Sequence, residues 1–252
     1  MYLVASWGSS GAGKTAVSLA VAAALAKRNK EVLVLSTDSR TPSLPVFLPT
    51  VDLGPNQSVA EMLTKSEVNE GQLKGRIHKH PKSDHIFFAG VASGENATLT
   101  YGPPRREALM SLLQVLQTSP FDVVLIDCDS NPVLDATSMI ALEWAQFGIC
   151  TLSPDVKGFE YIKAQMKWLQ NSDTFRLDNF VKVLNMVHPT TPIDEAKNIV
   201  GDVQHVLPFA LEVQEKMTAG DLLSNFQKMQ AVEFERVINM ITDALEEATV
   251  YA

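Results

Sequence analysis

Gly8-Ser9-Ser10-Gly11-Ala12-Gly13-Lys14-Thr15 decides how this chain is read. It has the form G-x-x-x-x-G-K-[ST] and stands between a short apolar run, Met1 to Ser6, and a long stretch from Thr15 to Ala26 rich in Ala, Val and Leu. A strand that runs into such a loop and then into a helix is the setting in which backbone N–H groups turn inward around a phosphate. Gly8, Gly11 and Gly13 permit the backbone angles this needs, and the positive end of the helix starting near Lys14 faces the same anion. Ser9, Ser10, Ala12 and Ala16 complete the cradle. Lys14 is expected to reach the β- and γ-phosphates, and the Thr15 hydroxyl to ligate Mg2+.

Working outward, the 252 residues carry a net charge of −8, which speaks against a broadly basic nucleic-acid surface but leaves room for a local patch. Cys128 and Cys150 each lie inside an apolar run, so buried, reduced thiols and a cytoplasmic setting are expected. The apolar N-terminal run has no basic flank ahead of it, and no apolar run approaches the roughly 18 residues of a membrane span. Secretion and direct membrane contact are therefore not expected.

Apolar, β-branched runs occur at Tyr2–Ser6, Glu31–Ser36, His85–Ala89, Asp122–Ile126, Gly148–Leu152 and Phe180–Leu184, with a shorter one at Gln204–Leu207. Their continuity suits a parallel sheet covered on both faces. Helical patterns alternate with them at Thr15–Arg28, Ser58–Leu63, Arg105–Leu116, Leu134–Gln146, Gly158–Leu169, Ile193–Val200 and Phe234–Glu247. The expected fold class is α/β, a doubly wound, mainly parallel sheet flanked by helices, with residues 1–252 forming a single nucleotide-binding domain. Pro42–Asp84, with four prolines between Pro42 and Pro55, is expected to form long exposed loops.

In such folds, ligands bind at the carboxyl ends of the strands. Phe121-Asp-Val-Val-Leu-Ile-Asp127 ends an apolar strand in an acid, the form of a Walker B carboxylate, and Asp127 is expected to hold Mg2+ through water. Asp38, two residues past the second strand, is a further candidate that orients the attacking water and meets the metal through water. The structural alternative is an Asx turn or a helix cap before Thr41-Pro42.

These motifs together make the chain similar to the MinD/ParA group of P-loop ATPases, and among them it most resembles the CpaE/TadZ-like members associated with polar localisation and with pilus or secretion machinery. The resemblance runs from Trp7–Thr15 through Val32–Asp38 and Phe121–Asp129 to Val181-Lys-Val-Leu-Asn185 and His205-Val-Leu-Pro208. It implies ATP or ADP with Mg2+, Asn185 on the adenine edge and Pro208 beside the ring. It also implies an ATP-bound homodimer and a protein partner in a localisation, pilus/secretion or partition system. Read from the residues alone, Asn185 is a polar residue ending an apolar strand, and a loop asparagine with its hydrogen bonds satisfied explains it too.

The chain departs from that group in one respect that matters chemically. The group's loop reads G-K-G-G-x-G-K-T, with an extra lysine that reaches the partner subunit's nucleotide, and here Ser9 takes that place and Ser10 replaces the next glycine. Charge on the transition state must then be met from elsewhere, for example by Arg40, or hydrolysis must be slow. Restoring lysine at position 9 is accordingly expected to strengthen a Mg-ATP dimer. Ser36 also replaces the first acid of the usual second-strand pair, leaving Asp38 alone. Asp129, two residues past Asp127, reads either as a switch-segment acid or as a cap for the helix near Leu134.

Other features carry plainer readings. His78, His80 and His85 lack the ligand spacing of a structural zinc site and are expected in an exposed loop. Phe234, Val237, Ile238, Ile241 and Leu245 share one helical face whose opposite side is acidic, which favours packing on the sheet over membrane anchoring. Trp7 is expected in the core. The expected function is an ATP-controlled switch that turns over slowly; a scaffold that holds ATP or ADP without turnover comes next, and an ATP-dependent ligase last. The sequence holds no direct sign of DNA binding.

Overall fold

The structure is a computed structural model that describes residues 1–38, 41, 44–49, 51–94, 96–170, 175, 179–221 and 225–250. Arg40 and Pro42 lie outside the described residues. The strands are β1 (Tyr2–Gly8), β2 (Val32–Ser36), β3 (His78–Lys79), β4 (Ile86–Ala89), β5 (Val123–Asp127), β6 (Phe147–Leu152), β7 (Phe180–Val187) and β8 (His205–Pro208). Among the described residues they form one sheet in the order β3-β4-β2-β5-β1-β6-β7-β8, parallel throughout except where β3 runs antiparallel to β4. This is the doubly wound α/β sheet expected from the alternation of apolar runs and helical patterns. Two-faced burial explains the composition of the strands: β1, β2, β5 and β6 are buried at every position.

Alternation along each strand sends side chains to two separate cores. Val4, Val32, Val34, Leu125, Ile149 and Val183 face α1 (Lys14–Lys27) and the last helix, while Leu3, Leu33, Val124, Ile126, Cys150 and Leu184 face the opposite layer. Numbered in chain order, the remaining helices are α2 (Leu44–Phe47), α3 (Glu70–Lys74), α4 (Ala97–Tyr101), α5 (Arg106–Gln117), α6 (Ala136–Trp144), α7 (Val156–Leu169), α8 (Ile193–Val200), α9 (Leu211–Thr218) and α10 (Met229–Val250). α1 is buried from Val17 to Ala26, sealed on its outer side by Phe234, Val237, Ile238, Ile241 and Leu245 of α10. The C-terminal apolar face thus packs inward, as its acidic opposite side suggests. No described helix is long and apolar enough to cross a membrane.

Two expectations are corrected. The stretch from Pro42 to Asp84 is not a set of exposed loops: it contains α2, α3, β3 and two 3₁₀ turns, and buries Leu44, Phe47, Leu48, Leu53, Val59, Met62, Leu63 and Leu73. Pro49 follows α2 and Pro55 opens the first 3₁₀ turn, so these prolines separate short elements whose apolar residues find partners only in the folded chain. The helix expected over Ser58–Leu63 is a turn followed by the 3₁₀ segment Met62–Thr64. The histidines also find separate roles: His80 is buried and accepts the Lys82 N–H at Nδ1, His85 Nδ1 lies 2.8 Å from Glu31, and His78 Nε2 lies 2.9 Å from the Gln57 carbonyl. Trp7 is buried against Tyr161 and Phe180.

Candidate nucleotide site

The site grows from a change in side-chain chemistry at the carboxyl ends of the central strands. On the face that carries α1, apolar residues give way to Ser36 on β2, Asp127 on β5, Ser6 on β1, Thr151 on β6 and Asn185 on β7, all buried. Ser36 and Ser6 are the register partners of Asp127 on either side. The glycine loop leaves β1 directly above this polar row.

Two glycines make the loop possible. Gly8 has φ 142°, and a Cβ there would come within 1.8 Å of the Thr151 carbonyl oxygen. Gly13 has φ 81°, and a Cβ there would meet Asn185 Nδ2 at 2.5 Å. Gly13 is also the N-cap of α1 and supplies no side-chain cap, whereas α6 and α7 are capped by Asp135 and Asp155. The first N–H groups of α1 are left for an external acceptor, as an anion-binding helix start requires.

Three of the expected residues converge here. Thr15 donates its hydroxyl to Asp127 Oδ2 at 2.8 Å, and Lys14 Nζ donates to Ser130 Oγ at 2.6 Å. Ser18, one turn along α1, has its hydroxyl 3.2 Å from Asp127 Oδ1 and 3.0 Å from the Lys14 carbonyl. Burial pushes Asp127 up to about 6, against the opposing hydrogen bond from Thr15, the Lys14 charge and the Ser18 hydroxyl; the nearby charge of Asp38 adds to the rise. A buried carboxylate this costly, facing two hydroxyls beneath an uncapped helix start and a lysine, has the oxygen-donor chemistry for Mg2+ beside phosphate. The residues fit the cation and the nucleotide.

The other candidates are placed as follows. Asp38 accepts the Thr41 N–H at 2.9 Å, the local turn that a short polar side chain makes with its own backbone. Asn185 donates from Nδ2 to the Ala12 carbonyl at 2.8 Å. Its orientation comes from an irregularity in β7, where the pairing with β8 shifts between Leu184 and Val187 and Met186 takes φ 59°. Such bulges re-aim side chains. Pro208 pairs with Val187 and borders a groove of about 480 Å³ between β8 and α10, lined also by His188, His205, Phe209 and Arg236.

Asp129 does not cap a helix; that role belongs to Asp135, whose Oδ2 accepts the Ser138 N–H at 2.7 Å. The Asp129 carboxylate accepts the Asn131 N–H at 2.7 Å instead. Ser9 also differs from expectation. It is only 1% exposed and its Oγ accepts from the Ser153 N–H at 3.4 Å, so position 9 aims into the β6–α7 junction. Ser18 and Ser130 escape sequence reasoning. Ser18 could be anticipated, because it stands three and four residues after Thr15 and Lys14 on one helical face; Ser130 carries no comparable signal.

Fold and site together define an α/β protein with a phosphate-binding loop at the carboxyl end of β1. The chain belongs to the AAA domain family, whose model (AAA_31) matches residues 6–177. The septum site-determining protein MinD from Pyrococcus horikoshii, complexed with Mg-ADP, is similar over 99% of this chain and 98% of that one, with 17% identity and a TM-score of 0.75. A ParA family ATPase from Chlorobium tepidum covers 97% of each chain with 15% identity and a TM-score of 0.74. A putative plasmid partition protein from Borrelia burgdorferi bound to AMPPNP covers 98% of this chain and 99% of that one, with 15% identity and a TM-score of 0.75. The chain thus has the MinD/ParA fold over nearly its whole length. Comparison with curated proteins gives no match.

Proposed function

We propose that this protein binds Mg2+ and ATP in the glycine loop, hydrolyses ATP slowly, and acts as a nucleotide-controlled switch in positioning or assembling a cellular machine. The observation that carries the proposal is the Thr15–Asp127 contact of 2.8 Å beneath the uncapped start of α1. Loop N–H groups and the Lys14 ammonium would hold the phosphates, and Thr15 and Asp127 would hold the cation. Mg2+, when bound, supplies positive charge beside the phosphate oxygens. Asp38 would orient the attacking water, and Asn185 and Pro208 would border the base. Residues 1–252 would act as a single nucleotide-binding domain.

The switch reading draws on the fold's MinD and ParA relatives and on an exposed apolar rim. Leu99, Leu134 and Val156 are 84%, 78% and 75% exposed on segments that follow β4, β5 and β6, at the loop end of the sheet. Exposed apolar residues gathered at one end favour a docking partner, here a second ATP-bound copy or a protein of a pilus, secretion or partition system. A static ATP- or ADP-binding scaffold is the second reading, favoured by the inward-facing Ser9, which gives a partner's phosphates no cation. Titration of ATP into wild type and Lys14→Ala tests binding, and sedimentation with ADP against a non-hydrolysable ATP analogue tests the switch. Wild-type affinity in Lys14→Ala would remove the site, and an equal oligomeric state with both nucleotides would favour the scaffold.

A further inference from the structure

We propose that Ser18 is a positioning residue that fixes the plane of the Asp127 carboxylate and so sets how strongly Mg2+ couples to nucleotide binding. The inference rests on the nucleotide-binding reading above. The torsion that turns a carboxylate about its Cβ–Cγ bond is broad, so one hydrogen bond does not fix the plane. In this site Thr15 holds Oδ2 and Ser18 holds Oδ1. Thr15 is itself a candidate cation ligand. When its oxygen turns to the metal, the Ser18 hydroxyl is the hold on Asp127 that comes from outside the coordination shell.

Ser18 suits this role for two further reasons. It is fully buried, so water does not compete for its proton. Its alternative acceptor, the Lys14 carbonyl at 3.0 Å, lies four residues back in α1, where the helix ladder already supplies an N–H from Ser18 itself. The hydroxyl proton is therefore free to serve Asp127 without leaving that carbonyl unpaired. Partners that orient a metal-bound group typically matter by about ten- to a hundredfold in metal affinity.

The test is Ser18→Ala, which places a better helix former in the interior of α1 but removes a hydroxyl from buried Asp127 Oδ1, so the thermal midpoint of each protein is measured beside binding to show that both are folded. ATP is titrated calorimetrically into both proteins in EDTA and across a Mg2+ series. The variant should need about tenfold more Mg2+ for the same gain in ATP affinity, while its affinity in EDTA shifts by less than about twofold. An identical Mg2+ response in the two proteins overturns the role of Ser18. An equal loss with and without Mg2+ overturns it as well, because that pattern marks general damage to the loop. A wild type whose ATP affinity ignores Mg2+ removes the cation site itself, and the inference with it.

Discussion

Asn185 donates from Nδ2 to the Ala12 carbonyl at 2.8 Å, joining β7 to the glycine loop across 173 residues of sequence. Both residues are buried, so the bond replaces water that the loop carbonyl cannot otherwise reach. Asn185→Ala should lower stability by about 1–3 kcal/mol, the cost of a buried carbonyl left unpaired, and should weaken ATP binding. It should also reduce any preference for ATP over GTP. Thermal unfolding, together with competition of GTP against labelled ATP, checks both parts; a variant with wild-type stability would show that the contact does not hold the loop.

The loop's glycines are predicted to differ sharply in what they tolerate. At Gly8 an added Cβ meets the Thr151 carbonyl at 1.8 Å, which the sheet pairing of β1 with β6 cannot relieve. Gly8→Ala should cost about 3 kcal/mol or more. Gly11 has φ 77° but nothing within 4 Å, so Gly11→Ala should cost only about 1–2 kcal/mol of backbone strain. Chemical denaturation of the two variants side by side decides it, and similar losses would contradict the packing described for Gly8.

Asp127 provides a prediction in pH. Its value rises from 3.8 to about 6 through burial, so between those values the folded chain keeps a proton that the unfolded chain has released. The residue's contribution to stability is therefore intact below about pH 4, is lost as pH rises through about 6, and stays lost above. Asn at this position has no such dependence. The stability of Asp127→Asn minus that of wild type, measured in urea without nucleotide, should grow by about 3 kcal/mol between pH 4 and pH 7. A difference that stays flat with pH would mean that Asp127 is solvated.

Ser9→Lys bears on the missing signature cation. Ser9 faces the Ser153 N–H inside the β6–α7 junction, so a lysine there must bury its charge or unseat the loop. The variant should be less stable and bind ATP more weakly, with no gain in self-association. Analytical ultracentrifugation with a non-hydrolysable ATP analogue would reveal a tightened dimer if the inward geometry of Ser9 were wrong.

The parts of this molecule legible in sequence are those whose cause is local. β1, the glycine loop and α1 announce themselves through an apolar run, three glycines and an Ala/Val/Leu-rich stretch free of Gly and Pro, and Asp127 through its place at the end of an apolar strand. The Asp135 cap, preceding Ser138 by three residues, carries a local signal, while Asp129, open in sequence between a switch acid and a cap, turns to the Asn131 N–H. α2, α3 and β3 are too short for a period to emerge, and Leu44 and Leu73 owe their burial to residues far along the chain. The Lys14–Ser130 and Asn185–Ala12 contacts span 116 and 173 residues, and neither residue type identifies its partner. Met186 at φ 59° is likewise a product of the β7–β8 pairing, since no preference of methionine calls for it.

The covering of α1 by α10 has a consequence for how the protein is made. The phosphate-binding motif is synthesised well before Phe234 to Leu245, yet those later residues cover the helix that it opens. Asp127 and Asn185, the motif's contacts on β5 and β7, also arrive late. A nascent chain therefore displays its glycine loop long before that loop can grip a phosphate. Nucleotide capture is in this sense a report that α10 has docked, and ribosome-bound chains halted before residue 229 should bind no ATP, whereas chains extended beyond residue 250 and clear of the exit tunnel should.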